Sequence, residues 1–256
     1  DWLKKYVGGV GMATRLVYDN TPKGCDPLGP DNALCFACSV FAGTTMPVGT
    51  KHGVASKSPL TGFIGDSLSG SHFSEMFRRA GWDGMVFKGQ SPNWVVIFID
   101  DDQVQFLDAS RFLGMGTTET QQAIREWLGD ENIRVSSIGP GGEHLVRYAT
   151  IDNDGRQVGR TGNGAVMGSK RIKAIAVRGT HPITVADPQG LLAETLKLIK
   201  ISQGPGTQKY RILGTPTNVL NMNKMGTLPT RNFRETVFEH AERVSGEYMH
   251  EHYTEK

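Results

Sequence analysis

The densest chemical potential lies in residues 154–170, which read DGRQVGRTGNGAVMGSK. Arg156 and Arg160 stand four residues apart among small residues. Guanidinium groups give fork-shaped, charge-assisted hydrogen bonds to phosphate, and glycine lets main-chain N–H groups approach the oxygens. A helix-compatible stretch follows, whose N-terminus would add a favourable dipole. The chemistry this suits is anion binding. A purely structural glycine turn is the competing reading, and the residues alone leave both open. Known nucleotide motifs fit poorly. Gly164 and Gly168 enclose three residues, not the four of a P-loop, and the order that follows is Ser169-Lys170. A dinucleotide fingerprint needs a preceding apolar strand, whereas Asp152-Asn153-Asp154-Gly155 reads as a polar turn.

Other chemistry-bearing residues are sparse. Cys35-x-x-Cys38 is a lone pair, and Cys25 adds one more sulfur, so a four-ligand zinc site is not formed. Buried free thiols are the expectation. Asp100-Asp101-Asp102 reads as a solvated turn rather than a metal site, and His250-x-His252 as an exposed helix face. No Gly-x-Ser-x-Gly occurs, and no nucleophile–base arrangement can be read.

The elements that must carry this segment are short and glycine-punctuated, with 32 glycines in 256 residues. Hydrophobic residues at 38% and charged residues at 21% exclude a disordered tail. No apolar run approaches the roughly 18 residues needed to span a bilayer. A net charge of +2 gives no nucleic-acid footprint. The odd cysteine count and the absence of a leader-like segment predict a cytoplasmic protein. The start at Asp1 rather than methionine predicts a portion of a longer chain.

Periodicity predicts a short helix, a glycine turn and a second helix over 1–20, and a buried strand over 34–42. Residues 51–58 lead into a turn at Ser58-Pro59-Leu60-Thr61-Gly62. A helix over 72–80 is capped by Ser71, with Phe73, Met76, Phe77 and Ala80 on one face. Residues 84–89 and 94–100 read as two strands of a meander. A helix over 118–128 carries a capping box from Thr118 to Gln121. Strands are expected over 135–138, 146–150 and 172–177. Asp187-Pro188 opens a helix to about residue 201, and a domain boundary falls near 183–187.

Five collinear segments carry a resemblance. They are Asp26-Pro27-Leu28-Gly29-Pro30-Asp31-Asn32, Ser56-Lys57-Ser58-Pro59-Leu60-Thr61-Gly62-Phe63-Ile64, Ser137-Ile138-Gly139-Pro140-Gly141-Gly142-Glu143, residues 162–175, and Gly226-Thr227-Leu228-Pro229-Thr230-Arg231-Asn232-Phe233. Together they resemble the tungsten-containing aldehyde ferredoxin oxidoreductase family over essentially the whole chain. The resemblance implies an α+β fold. An N-terminal domain over 1–183, built as two similar β-rich halves, forms a base for a tungsten bis-pyranopterin cofactor. Residues 187–256 begin a helical domain. It also implies a magnesium ion bridging the pterin phosphates. A four-iron four-sulfur cluster would be held by cysteines beyond Lys256. The partners implied are a small aldehyde, ferredoxin or another electron-transfer subunit, and a second copy in a homodimer. The implied reaction is oxidation of an aldehyde to a carboxylate, with water supplying the oxygen.

Carried residue by residue, the resemblance implies cofactor contacts at Lys51, Leu68, Ser69, Gly70, Arg156, Gln157, Gly159 and Arg160. Lys51 stands where the family usually has arginine, keeping the charge and losing the bidentate fork. Leu68-Ser69-Gly70 stands for Asn-Ser-Gly, and Gln157 for an alanine. At Leu68 and Gln157 a main-chain carbonyl is the implied magnesium ligand. Val10 replaces an arginine and Thr161 a glycine. No catalytic residue is implied within the chain. Relatives that reduce aromatic-ring thioesters also depart at such positions, so two substrate classes stand. A non-catalytic pterin-binding or structural subunit, and a nucleotide-binding module using residues 155–170, are the rival readings.

Overall fold

Met12, Ala13 and Val17 recur at helical spacing and form the buried face of α2 (Gly9–Asn20), which follows the short α1 (Trp2–Tyr6). The structure, a computed structural model, describes residues 2–254. The chain packs as two compact units, residues 1–191 and 192–256.

In the first unit α2 lies on an antiparallel sheet of order β3-β2-β1-β4. Its strands are β1 (Leu34–Cys38), β2 (Lys51–Lys57), β3 (Ile64–Gly70) and β4 (Gly84–Phe87). Gly53 allows the close approach: a Cβ there would lie 2.7 Å from the Val10 nitrogen. The opposite face of the sheet presents Leu34, Phe36 and Val54 to Phe73 and Phe77 of α3 (His72–Arg79).

A second sheet has the order β6-β5-β10-β7-β8-β9. It comprises β5 (Val95–Asp100), β6 (Gln103–Asp108), β7 (Arg134–Ser137), β8 (Ile151–Asn153), β9 (Arg156–Val158) and β10 (Ile172–Arg178). Only β5 and β10 run parallel among its pairs. Ile97, Ile175, Ile151 and Val158 join Phe36 and Phe73 in one core shared by the two sheets. On the far face α4 (Thr117–Leu128) buries Ile124 against Phe112, Ile133 and Val135. Short helices α5 (Pro140–Glu143) and α6 (Asn163–Ser169) complete the unit. This is the α+β fold of two β-rich halves that the sequence implied.

Residues 192–256 form the helical unit. It holds the end of α7 (Pro188–Ser202), then α8 (Gln208–Leu213), α9 (Val219–Lys224) and α10 (Gly246–Tyr253). Asp187 accepts from the Gly190 nitrogen at 2.9 Å, which caps α7 as its sequence requires. Arg231 pairs with Glu235 and Glu239 across the loop that follows α9.

Four local expectations are corrected. The strands at 84–87 and 95–100 are not a meander: β4 pairs with β1, and β5 with β6 and β10, so the loop holding Pro92 crosses between sheets. The 34–42 strand stops at Cys38, where a turn begins. The α4 cap sits two residues earlier. The Gly116 nitrogen donates to Glu119 at 3.1 Å, while Gln121 is buried against Asp152 and cannot reach back. Residues 146–150 are irregular, because Gly139-Pro140-Gly141-Gly142 closes into a helical turn rather than a hairpin.

Candidate functional site

Lys51 begins β2, and its strand neighbour His52 points to the opposite face. His52 lies in the core, stacked 6.0 Å from Phe36, with neither ring nitrogen partnered. Burial pushes its pKa down to about 4. Lys51 instead lines a cleft of about 530 Å³ together with Gly70, Ser71, Asp154 and Arg156. Val48 and Gly49 carry the wall into an adjoining cleft of about 260 Å³, which Lys51 shares with Leu68. The structure therefore brings Lys51, Gly70 and Arg156 to one cleft and Leu68 to the next. Arg160, Gly159 and Gln157 follow on exposed chain after Arg156.

The strand edges explain what faces this region. Ser39 donates its N–H to the Lys51 carbonyl, so His52 and Ser69 exchange the next ladder bonds and Ser69 points its amide groups toward β2. Leu68 and Gly70 therefore turn theirs away from the sheet. The Gly70 carbonyl indeed accepts from Asn153 Nδ2 at 3.3 Å. In the other half, Asp154 (φ 52°) and Gly155 (φ 72°) form the two-residue turn of the β8–β9 hairpin. The residues flanking such a turn, Asn153 and Arg156, exchange both ladder bonds, so the Gln157 carbonyl points off the free edge of its sheet. Both carbonyls named in the sequence analysis thus leave open sheet edges. Strands β3 and β9 lie side by side, yet no ladder joins them among the described residues.

The Gln157 side chain is directed elsewhere. Its Nε2 donates to the Asp152 carboxylate and its Oε1 accepts from Thr150 at 2.6 Å. Asp152 also receives Gln121 Nε2 at 2.6 Å and the Gly155 nitrogen at 3.3 Å. Asp154 is held by Arg125 at 2.8 Å, so its charge is compensated away from the cleft. The side chains of Lys51, Arg156 and Arg160 form no hydrogen bond or ion pair among the described residues, and both arginines are exposed. A larger cavity, about 620 Å³, lies elsewhere, beside Phe87 and Phe106. It contains none of the cofactor-contact residues that the resemblance implied. Lys170 at its wall donates to the Pro30 and Gly89 carbonyls at 3.3 and 3.1 Å.

Three cations without acidic partners suit phosphate oxygens, and two outward carbonyls on facing edges suit a hard cation. The donor set fits a pterin phosphate group with magnesium. It does not fit an iron–sulfur cluster. Cys35 and Cys38 are buried on opposite faces of β1, their thiols pushed up to about 12 by burial.

Sequence reasoning gave no site role to Val48, Ser71 and Asn153, reading Ser71 as a helix cap and Asn153 as part of a polar turn, while Asp154 opened the anion-binding segment. Val48 (φ 60°) and Ser71 (φ 150°) occupy backbone regions that favour glycine, which neither side chain advertises. Thr161 does the same at φ 66°, where the resemblance led to glycine. The turn at Asp152-Asn153-Asp154-Gly155 was legible, but not that its hairpin lies beside β3.

Comparison with known proteins identifies the family. Residues 1–179 match the family described as "Aldehyde ferredoxin oxidoreductase, N-terminal domain", and residues 192–256 match "Aldehyde ferredoxin oxidoreductase, domains 2 & 3". The tungsten-containing aldehyde ferredoxin oxidoreductase of Thermococcus kodakarensis is 44% identical over 96% of this chain and 41% of its own length. That of Pyrococcus abyssi is 40% identical over 97% of this chain and 42% of its own. The active-site complex BamBC of benzoyl coenzyme A reductase, solved with 1,5-dienoyl-CoA, superposes with a TM-score of 0.80. It is 30% identical, covering 97% of this chain and 40% of the other. The chain thus spans about two-fifths of the length of these relatives. It belongs to the aldehyde ferredoxin oxidoreductase family of tungsten-type oxidoreductases.

Proposed function

We propose that this chain is the cofactor-cradling portion of a tungstopterin oxidoreductase that oxidises aldehydes to carboxylates. Residues 1–183 are the cradle and 187–256 the start of the helical domain. The observation that supports it most is the convergence of Lys51, Gly70 and Arg156 on one cleft, with the cations unpaired. Lys51, Arg156 and Arg160 would neutralise the phosphates. Ser69, Gly70 and Gly159 would offer main chain, and the Leu68 and Gln157 carbonyls would hold magnesium. Bound there, the tungsten pterin supplies the two-electron redox chemistry that side chains lack. The chain's own part is to bind, orient and balance charge. Electrons would leave through a four-iron four-sulfur cluster, held by cysteines outside these residues, to ferredoxin or another electron-transfer subunit. A cytoplasmic homodimer is the proposed setting, and among the described residues no helix is long and apolar enough to cross a membrane.

Elemental analysis of the active protein grown with tungstate tests this. Tungsten in stoichiometric amount is expected, and active protein without tungsten or molybdenum would end the reading. The likeness to the benzoyl coenzyme A reductase complex favours a second reading, a tungsten subunit acting on aromatic thioesters. The higher identity to the aldehyde enzymes supports the first reading over it. Viologen reduction driven by small aldehydes, but not by aromatic acyl thioesters, separates the two.

A further inference from the structure

The two edges that frame the site belong to different sheets, and their residues are far apart in sequence. Something must set their spacing. At one end of the seam Ser58 Oγ donates to the Thr161 carbonyl at 2.8 Å and Ser56 Oγ to Asn163 Oδ1 at 2.7 Å. At the other end stands a single amide. Asn153 is fully buried, and its Nδ2 donates to the Gly70 carbonyl at 3.3 Å and to Ser71 Oγ. Both amide hydrogens are thereby used. The Gly70 carbonyl can only accept, which fixes the end of the amide that faces it. Asn153 Oδ1 has no partner. A buried, half-satisfied amide is costly, and an apolar side chain beside Ile151 and Val158 would avoid that cost. Asn153 also flanks the Asp154-Gly155 turn that places Arg156 and Gln157.

We propose that Asn153 is a positioning residue that sets the gap between the two halves of the cradle. It clasps the Gly70 end of β3 to the hairpin carrying Arg156 and Gln157. With both ends of the seam tied, Leu68 and Gln157 lie between them on facing, unjoined edges. Without the amide, the sheet carrying β3 is tied to the other half at one end only, through Ser56 and Ser58, and the spacing of the β3 carbonyls from those of β9 is lost. What the gap serves rests on the tungstopterin reading above; the clasp itself rests on the contacts of Asn153.

The test uses the tungsten-loaded holoenzyme and reads three quantities: tungsten per chain, its release rate to a chelator, and the thermal midpoint. Asn153→Leu removes both donors. Asn153→Asp keeps the shape and an oxygen to which the Ser71 hydroxyl can donate, but it sets an acceptor against the Gly70 carbonyl and adds a buried charge. Phe112→Leu disturbs the far core, where Phe112 is 2% exposed, and serves as a stability-matched control. Asn153→Leu should release tungsten about tenfold faster, as the loss of roughly one net hydrogen bond implies. Asn153→Asp, which turns the Gly70 contact repulsive, should release at least as fast, and Phe112→Leu should stay near the parent at an equal loss of midpoint. If Asn153→Leu fails to fold, Asn153→Asp decides alone. Release at the parental rate in the folded Asn153 variants would overturn the clasp, as would equal acceleration by Phe112→Leu. Arg156→Ala in the same assay separates the two ideas. If it accelerates release and the Asn153 variants do not, only the clasp fails; if it too changes nothing, the cradle reading fails.

Discussion

His52→Leu removes an imidazole that the fold holds neutral. The ring is 1% exposed, it packs against Phe36 and Phe73, and no partner meets either nitrogen. Burial alone lowers its pKa to about 4, against an unfolded value of roughly 6.5. Below pH 6.5 the unfolded chain takes up a proton that the folded chain refuses, so folding is disfavoured progressively as pH falls. The contribution is fully present above the unfolded value and is lost as pH falls through the folded one. Linkage puts the loss at about 2 kcal/mol by pH 5 and about 3 kcal/mol by pH 4, relative to neutral pH. Leucine fills most of the ring's volume and carries no proton. Chemical denaturation at a series of pH values, on parent and variant, reads the difference directly. The variant should match or exceed the parent at pH 7, and its advantage should widen steeply between pH 6.5 and 4. A parallel pair of curves across that interval would refute the reasoning and show that the imidazole has a proton acceptor or donor in the folded state.

Arg156→Ala and Arg160→Ala should each lower the tungsten content of the holoenzyme while shifting stability by no more than about 0.5 kcal/mol, since both side chains are exposed and unpartnered; elemental analysis beside a melting curve checks both halves. Glu143→Leu strands the buried Lys173 ammonium, now 2.5 Å from Glu143 Oε1 and 3.0 Å from the Met115 carbonyl, and should cost about 3 kcal/mol by denaturation. Burial already lowers the Lys173 pKa against the opposing pull of Glu143. The deficit should therefore shrink toward alkaline pH, as the folded lysine gives up its proton before the unfolded one does. Val48→Asn relieves a β-branched residue at φ 60° that is 78% exposed, and should raise stability by about 1 kcal/mol on the same measurement.

Local signals were legible where a residue's role depends on its near neighbours. The Phe73, Met76, Phe77 and Ala80 stripe marked α3, and Asp187-Pro188 marked the start of α7, because period and cap are both encoded within a turn. Sheet membership was not legible. Residues 84–87 and 95–100 are both apolar and adjacent, and nothing local says that the first pairs with residues 34–37 while the second pairs with 172–178. The site divides the same way. Arg156 and Arg160 announced themselves by type and spacing. Asn153 looked like part of a polar turn, and its importance comes from Gly70 and Ser71, some eighty residues earlier in the chain.

The unjoined hems of β3 and β9 have a consequence for how such a protein is made. Each carries main-chain donors and acceptors that no ladder pairs among the described residues, the kind of surface that recruits a foreign strand. Newly folded polypeptide would be open to polymerising through this slot. The charges of Lys51 and Arg156 beside it discourage that, and a guest seated there would plug it. On the proposed reading, loading the prosthetic group and guarding against self-association would be a single event, and polypeptide synthesised without a supply of that group should be lost to aggregates first.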